Sequence, residues 1–349
     1  MKCSITGADA TVTSAVSVRR PLNRPRREDR KCLQSWGQSN IKDFSAFYSR
    51  EAVIECPHMM SLLGYVYQTH GLPKYGWLNQ GMRYHYTDAA GLLGIIQSGR
   101  LWATDLLFLN DPSEGTFLPE KLLGFMRSKP GGLTDSEVKI INGVEATLHK
   151  PRSKNGAYCV SLSANGDLLS QWRGYGSFGK GYAIGLNLGQ LYPHPQVAHF
   201  YDVVYGDKGL EELAIDLLDL FVIASDKWKE QMYEEWAYTL GVLAKSFKHP
   251  SYSEEQESRL ICSKAEGGKD LFAKELPLMF RAKGSDVIPY IPMSLNIMKE
   301  GDTARLPIEK IIVGPGVDFE RNLTSILALL KANSYDNVEV VPSAIPFRP

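Results

Sequence analysis

Four short constellations hold the side chains whose types and spacing could do chemistry. In Tyr84-His85-Tyr86-Thr87, alternation along a strand puts His85 and Thr87 on one face and the two tyrosines on the other. A neutral imidazole beside a hydroxyl can hold the diol of a sugar. A core histidine bonded to a backbone carbonyl would use the same residues for packing alone. In Asn110-Asp111-Pro112-Ser113-Glu114, Asp111 can cap a helix that starts at Pro112 or Ser113, with Glu114 in its first turn facing the dipole. The two carboxylates are also open to a weak metal site or a nuclease, and Asn110 to a place in a site.

The third constellation is Ser161 and Ser163 at a strand end, followed by Gln171-Trp172-Arg173-Gly174-Tyr175-Gly176. An aromatic with an Arg and close glycines can stack a planar ring and hold a phosphate in bidentate fashion. Trp172 serves equally well as core. The fourth is Glu254-Glu255-Gln256-Glu257-Ser258-Arg259, where Glu257 and Arg259 share one strand face. A salt bridge alone accounts for that pair, and an exposed one contributes little.

The familiar catalogues are empty. The chain has no phosphate-binding G-x-x-x-x-G-K-[ST], no H-E-x-x-H and no G-x-S-x-G. Gly174, Gly176, Gly179 and Gly181 lie between a helix and a strand, the wrong order for a dinucleotide fingerprint.

The elements that must position these residues are legible in outline. "MRYHYT" and "RLWAT" read as strands around a helix that Asp88 caps, Gly99 ends, and Leu92, Leu93, Ile95 and Ile96 make apolar on one face. Further strands are expected at 157–163, 181–188, 197–205, 257–263, 276–283 and 308–314, with a final helix near 320–333 and the strand "VEVVP". Residues 210–247 carry helical spacing from Leu213 to Phe247. The domain plan is a basic, disordered arm at 1–40, a helical extension at 41–81 and one domain at 82–349 with a helical insertion near 209–247. The expected class is α+β, with a mostly β centre.

Composition restricts the partners. Lys plus Arg and Asp plus Glu are 39 each, so no global field draws in nucleic acid or an anionic membrane, although the cluster "RRPLNRPRREDRK" at 19–31 could do so locally. Five scattered cysteines without C-x-x-C argue for a reducing compartment, and no apolar run reaches the length of a span. These features predict a cytoplasmic protein without membrane contact.

The motifs Tyr-His-Tyr-Thr, Asn-Asp-Pro-x-Glu, "SLSANGDLLSQWRGYG", "GYAIGL", "EEQESRLI", "IIVGP" and "SAIPFR" occur in order over 82–348. The set resembles a widespread bacterial family classed as a domain of unknown function. More distantly, "YHYT" with the helix and "SGRLWAT" is similar to the opening of the diphtheria-toxin-like ADP-ribosyltransferase superfamily. That resemblance implies an ADP-ribosyltransferase-like split β core with helical insertions, NAD as substrate, and no metal. It implies His85 as a ribose ligand and Glu257 as the catalytic carboxylate, with Glu114 and Glu255 as alternatives. It places Tyr86, Thr87, Asn110, Ser161, Ser163, Trp172, Arg173 and Tyr175 around the dinucleotide, in a cleft that His85 and Thr87 share with the serines and aromatics. The implied activity is transfer of ADP-ribose to a macromolecule, nucleic acid before protein. A toxin or phage-defence role, with an antitoxin or defence-system partner, follows by analogy. NAD hydrolysis, RNA 2′-phosphate transfer and a non-catalytic nucleotide sensor remain as alternatives.

Overall fold

The computed structural model describes residues 49–55, 59–73, 81–111, 113–149, 157–188, 199–263, 277–283, 285–294 and 305–346. The basic arm at 1–40 lies outside them. Two helices, α1 (Arg50–Glu55) and α2 (Met59–His70), precede the sheet.

Strand β1 (Met82–Thr87) leads through α3 (Ala89–Ser98) into β2 (Leu101–Asp105). The helix starts and stops as its residues dictate. Asp88, in an extended conformation, accepts from the Gly91 amide at 2.7 Å, and Gly99 at φ 62° closes the last turn in the left-handed region. Leu92, Ile95 and Ile96 are the buried face; Leu93 is exposed.

Both β1 and β2 run antiparallel to β3 (Ala157–Ser163), and they take opposite ends of the same edge. Tyr84 pairs with Ser163, whereas Thr104 and Asp105 pair with Cys159 and Tyr158. Between these contacts the two strands separate, and neither pairs with Ser161. The sheet therefore forks along β3.

One wing continues from β1 through β4 (Tyr182–Asn187), β11 (Ile308–Val313) and β12 (Glu339–Pro342); the other runs from β2 through β10 (Asp286–Met293) to β9 (Met279–Lys283). The far edge of β3 is paired along its whole length with β8 (Glu257–Ser263), which carries β5 (His199–Asp202) beyond it. The described residues thus contain one ten-stranded mixed sheet. Helix α8 (Phe319–Ala332) and α3 pack on its Leu162–Ile184–Ile291 face.

A separate helical module rises from insertions in the sheet. Helices α4 (Phe117–Arg127) and α5 (Asp135–Leu148) lie between β2 and β3, after which comes the short α6 (Leu169–Gly174). Strand β6 (Val204–Tyr205) leads into α7 (Leu210–Ala244), 35 residues long, and β7 (Phe247–Lys248) follows it. Leu118, Leu122, Ile141, Val144, Leu217, Phe221 and Leu240 form a core with Leu62 and Val66 of α2, distinct from the core of the sheet. The mixture of one large sheet and segregated helices is α+β.

Three expectations need correction. The helix after the Asn-Asp-Pro loop begins at Phe117, not at Pro112 or Ser113, because Asp111 closes a turn instead. The described part of 197–205, from His199 on, holds two short strands, β5 and β6, not one. Strand β10 was not expected; Pro289 and Pro292 interrupt the reading, yet it pairs with β2 and β9.

Candidate functional site

Strand β1 delivers His85 to the point where the sheet divides. Along an antiparallel edge, alternate residues present their backbone groups to the same side. On β3, Ser163 is met by β1 and Cys159 by β2, and the Ser161 carbonyl between them lies 3.1 Å from His85 Nδ1. A carbonyl only accepts, so Nδ1 carries the proton and Nε2 is left as an acceptor. Burial lowers the imidazole pKa to about 4, against the pull of the Ser161 carbonyl and with the charge of Arg281 adding to it. At neutral pH His85 is uncharged.

The Ser161 hydroxyl turns the other way, to Glu257. Glu257 opens β8 opposite Ser163, and Arg259 lies opposite Ser161. The guanidinium of Arg259 grips both oxygens of Glu257, Nε to Oε1 at 2.8 Å and Nη2 to Oε2 at 2.9 Å. Nη2 also reaches Glu114 Oε1 at 2.6 Å, and Nη1 donates to the Lys245 carbonyl at 2.9 Å. Lys248 Nζ lies 2.7 Å from Glu255 Oε2, 3.4 Å from Glu257 Oε2 and 3.5 Å from Glu114 Oε1. The Tyr175 hydroxyl donates to Glu255 Oε1 at 2.9 Å, and the Tyr205 hydroxyl accepts from the Glu257 amide at 2.8 Å.

Three buried carboxylates thus face two cations. For Glu257, burial alone would raise the pKa, but Arg259 and Lys248 outweigh it and hold the carboxyl at about 2. Glu114 goes the other way: burial pushes it up despite Arg259 and Lys248, with Glu257 adding to the rise. Its Oε2 is buried without a hydrogen-bond partner. Of Glu114 and Glu257, it is Glu114 that takes a proton more readily. Beside it, burial pushes the Cys159 thiol up to about 12, so this sulfur is no nucleophile at neutral pH.

The expected cleft is not assembled as the sequence reading has it. Tyr84 lies opposite Ser163 and Ser163 opposite Glu257, which puts Tyr84, Tyr86, Ser161, Ser163 and Glu257 on one face. His85, opposite Ile184, is on the other, and it meets Ser161 through the backbone. Trp172 is fully buried; its indole N–H donates to Asp167 at 2.7 Å and its ring meets Tyr86 edge-on at 4.9 Å. It is core and offers no face to a ligand. Tyr86 is equally committed, donating to the Asn165 carbonyl and accepting from the Leu168 amide, each at 3.0 Å.

Ser163 donates to the Glu255 carbonyl at 2.9 Å and accepts from the Asn165 amide at 3.2 Å, so it braces a turn. Thr87 is buried at the end of β1, whereas Asn110 and Arg173 are exposed. Asp111 accepts from the Ser113 amide at 2.8 Å and hydroxyl at 2.6 Å, and it caps no helix. Glu114 turns to Arg259 and not to a helix dipole, so Asp111 and Glu114 serve separate partners. Among the described residues no group of His, Cys, Asp and Glu side chains is arranged to hold a metal ion.

Sequence reasoning missed several participants. Lys248 carries no signal, since a lysine after a helix is ordinarily solvated, yet its side chain is 2% exposed. Arg83 was legible: it has the same parity as His85, and it donates to the Ser258 hydroxyl at 3.0 Å, which in turn donates to Asp202 at 2.5 Å. Tyr205 and Arg281 stand in strands that no motif singled out.

A family model described as a protein of unknown function (DUF2971) matches residues 171–260, the stretch from α6 to the middle of β8. It spans Trp172, Tyr175, Lys248, Glu255, Glu257 and Arg259. No curated protein and no solved structure matches the chain significantly. No helix of the described residues is long and apolar enough to cross a membrane.

Proposed function

We propose that the fork binds NAD and that the protein transfers its ADP-ribose to a macromolecular acceptor, nucleic acid before protein. The observation that carries this reading is the position of Ser161. Its carbonyl fixes a neutral His85 with Nε2 as a free-standing acceptor, and its hydroxyl contacts an ionised Glu257. An uncharged acceptor suits a ribose hydroxyl, and a fixed carboxylate suits a sugar on which positive charge develops.

In this reading the ribose lies in the gap of the fork, where His85, from one face of the sheet, orients it by accepting from a hydroxyl at Nε2 and Glu257 approaches it from the other face. Glu257 stabilises the oxocarbenium-like ribose as the bond from C1′ to the nicotinamide nitrogen breaks and nicotinamide leaves with the electron pair. The acceptor then bonds to C1′ and gives up its proton. Arg259 and Lys248 keep Glu257 charged in its dry surroundings, and Tyr175 fixes Glu255 beside it.

One observation favours a second reading. Both Glu257 oxygens are taken by Arg259, as in a structural ion pair, and a nucleotide-binding module without turnover would need no more. Glu257→Gln separates the two. Labelled NAD is incubated with the purified protein and DNA, RNA or protein pools, and NAD affinity is measured in parallel. Transfer should fall by about 10²–10³ while affinity changes far less, because the ground-state sugar next to the carboxylate is neutral. Full transfer activity in Glu257→Gln would remove the catalytic role from this residue, and no label uptake by the unaltered protein would leave the binding-module reading.

A further inference from the structure

The wing of the sheet beyond β2 carries a cation that the chemistry above does not use. Arg281 on β9 sits with its guanidinium carbon 5.4 Å from the ring centre of Trp102 and 6.0 Å from that of Tyr290. Trp102 is held there by a gap in α3: a side chain at Gly94 would come within 2.1 Å of the indole. A guanidinium has five N–H donors. Among the described residues Arg281 makes one bond, Nη2 to the Thr104 hydroxyl at 2.8 Å, and its Nε is buried with no partner there. Among the described residues no carboxylate lies within ion-pair distance of it. The Asp88 carboxylate, whose charge does reach Arg281, already caps α3.

A desolvated cation without a carboxylate is costly to maintain unless a ligand supplies the anion. Arg281 lies close enough to the fork for its charge to act on His85. Its flat faces are backed by aromatic rings, which fixes the plane of the fork of donors without satisfying them. We infer that Arg281, seated on Trp102 and Tyr290, is the anion subsite of the fork and takes a phosphate or pyrophosphate group of the ligand whose sugar His85 holds. This rests on the nucleotide reading of the fork, and it extends the site to the β2–β10–β9 wing, where no motif pointed.

The test is calorimetric binding of three probes, inorganic pyrophosphate, ADP-ribose and adenosine, to the full chain and to Arg281→Gln and Arg281→Lys. Arg281→Gln should weaken pyrophosphate and ADP-ribose by about tenfold or more, the scale of losing one charge-assisted hydrogen bond to an anion. Adenosine, which lacks phosphate, should bind equally to both. Arg281→Lys keeps the charge but not the fork of donors, so it should lie between them. Its thermal stability, compared with that of Arg281→Gln, shows whether the Gln variant is folded. Equal losses for adenosine and ADP-ribose in Arg281→Gln would overturn the subsite, as would pyrophosphate binding that ignores the substitution or is absent from the unaltered protein. Arg281-dependent pyrophosphate binding without any binding of ADP-ribose would keep the anion subsite and sink the NAD reading. ADP-ribose binding indifferent to Arg281 would do the reverse.

Discussion

His85 shows how one backbone contact converts a packing histidine into a defined chemical group. The Ser161 carbonyl chooses the tautomer, and burial lowers the pKa to about 4 from an ordinary 6.5. The unfolded chain therefore takes up a proton that the folded chain refuses. Stability from this residue is present above about pH 6.5 and is lost as pH falls toward 4, by an amount on the order of 3 kcal/mol. Chemical denaturation of His85→Gln should lack this component: its stability curve should run flatter than that of the unaltered protein between those two values. Identical curves would mean that His85 is exposed to water in the native state. The residue type and its strand parity could be read from the sequence. The partner could not, because nothing in "YHYT" says that β1 would leave β3 one residue short of His85.

At the scale of elements, the local signals were the most dependable. The cap at Asp88, the stop at Gly99 and the apolar stripe of α3 act within one helix, and all three are present in the fold. Failures came where a residue's partner lies far along the chain. Asp111 and Glu114 read as helix-start residues, yet Glu114 is claimed by Arg259, 145 positions away. Trp172 and its aromatic neighbours read as a stacking platform, but Asp167 and Tyr86 take them into the core. Asp167 does more than that. It accepts from the Trp172 indole, from the Ser343 hydroxyl at 2.6 Å and from the Ala344 amide at 2.7 Å, which pins the segment after β12 to the loop after β3. That gives Ser343 and Ala344 a structural role. Asp167→Ala removes the acceptor of all three donors, of which the Trp172 indole N–H is the buried one, and releases that segment, so it should cost about 1–3 kcal/mol. Limited proteolysis should then cut near residue 343, and an uncut, equally stable variant would show that Ile345 and the bond from the Ser343 amide to the Val313 carbonyl hold the tail without Asp167.

For the whole molecule, the buried ion cluster is the joint between two cores. Glu114 enters from the chain that leads to α4, the Lys245 carbonyl from just past α7, Lys248 from β7, Glu255 from the approach to β8, and Glu257 and Arg259 from the start of β8 itself. Composition and periodicity distinguish a helix from a strand, and the helix at Leu210–Ala244 was legible over 210–247 for that reason. They say nothing of how the two cores are joined. Arg259→Ala would leave Glu114 and Glu257 buried with only Lys248 between them, a loss of about 3–5 kcal/mol. Urea titration followed separately by tryptophan fluorescence and by far-ultraviolet circular dichroism should then give two midpoints. Coincident midpoints would mean that the cores hold together through packing alone.

The same cluster also sets a timetable. Its Glu114–Arg259 pair joins residues 145 positions apart and gains nothing until the insertion between them has closed, so that pairing belongs to the last stage of folding. A contact absent from the transition state stabilises the native protein by slowing its escape. Arg259→Ala should accordingly refold at nearly the unaltered rate and unfold many times faster, which stopped-flow mixing in urea would resolve. The charges at the joint would then govern how long a folded molecule lasts, not how quickly one is made.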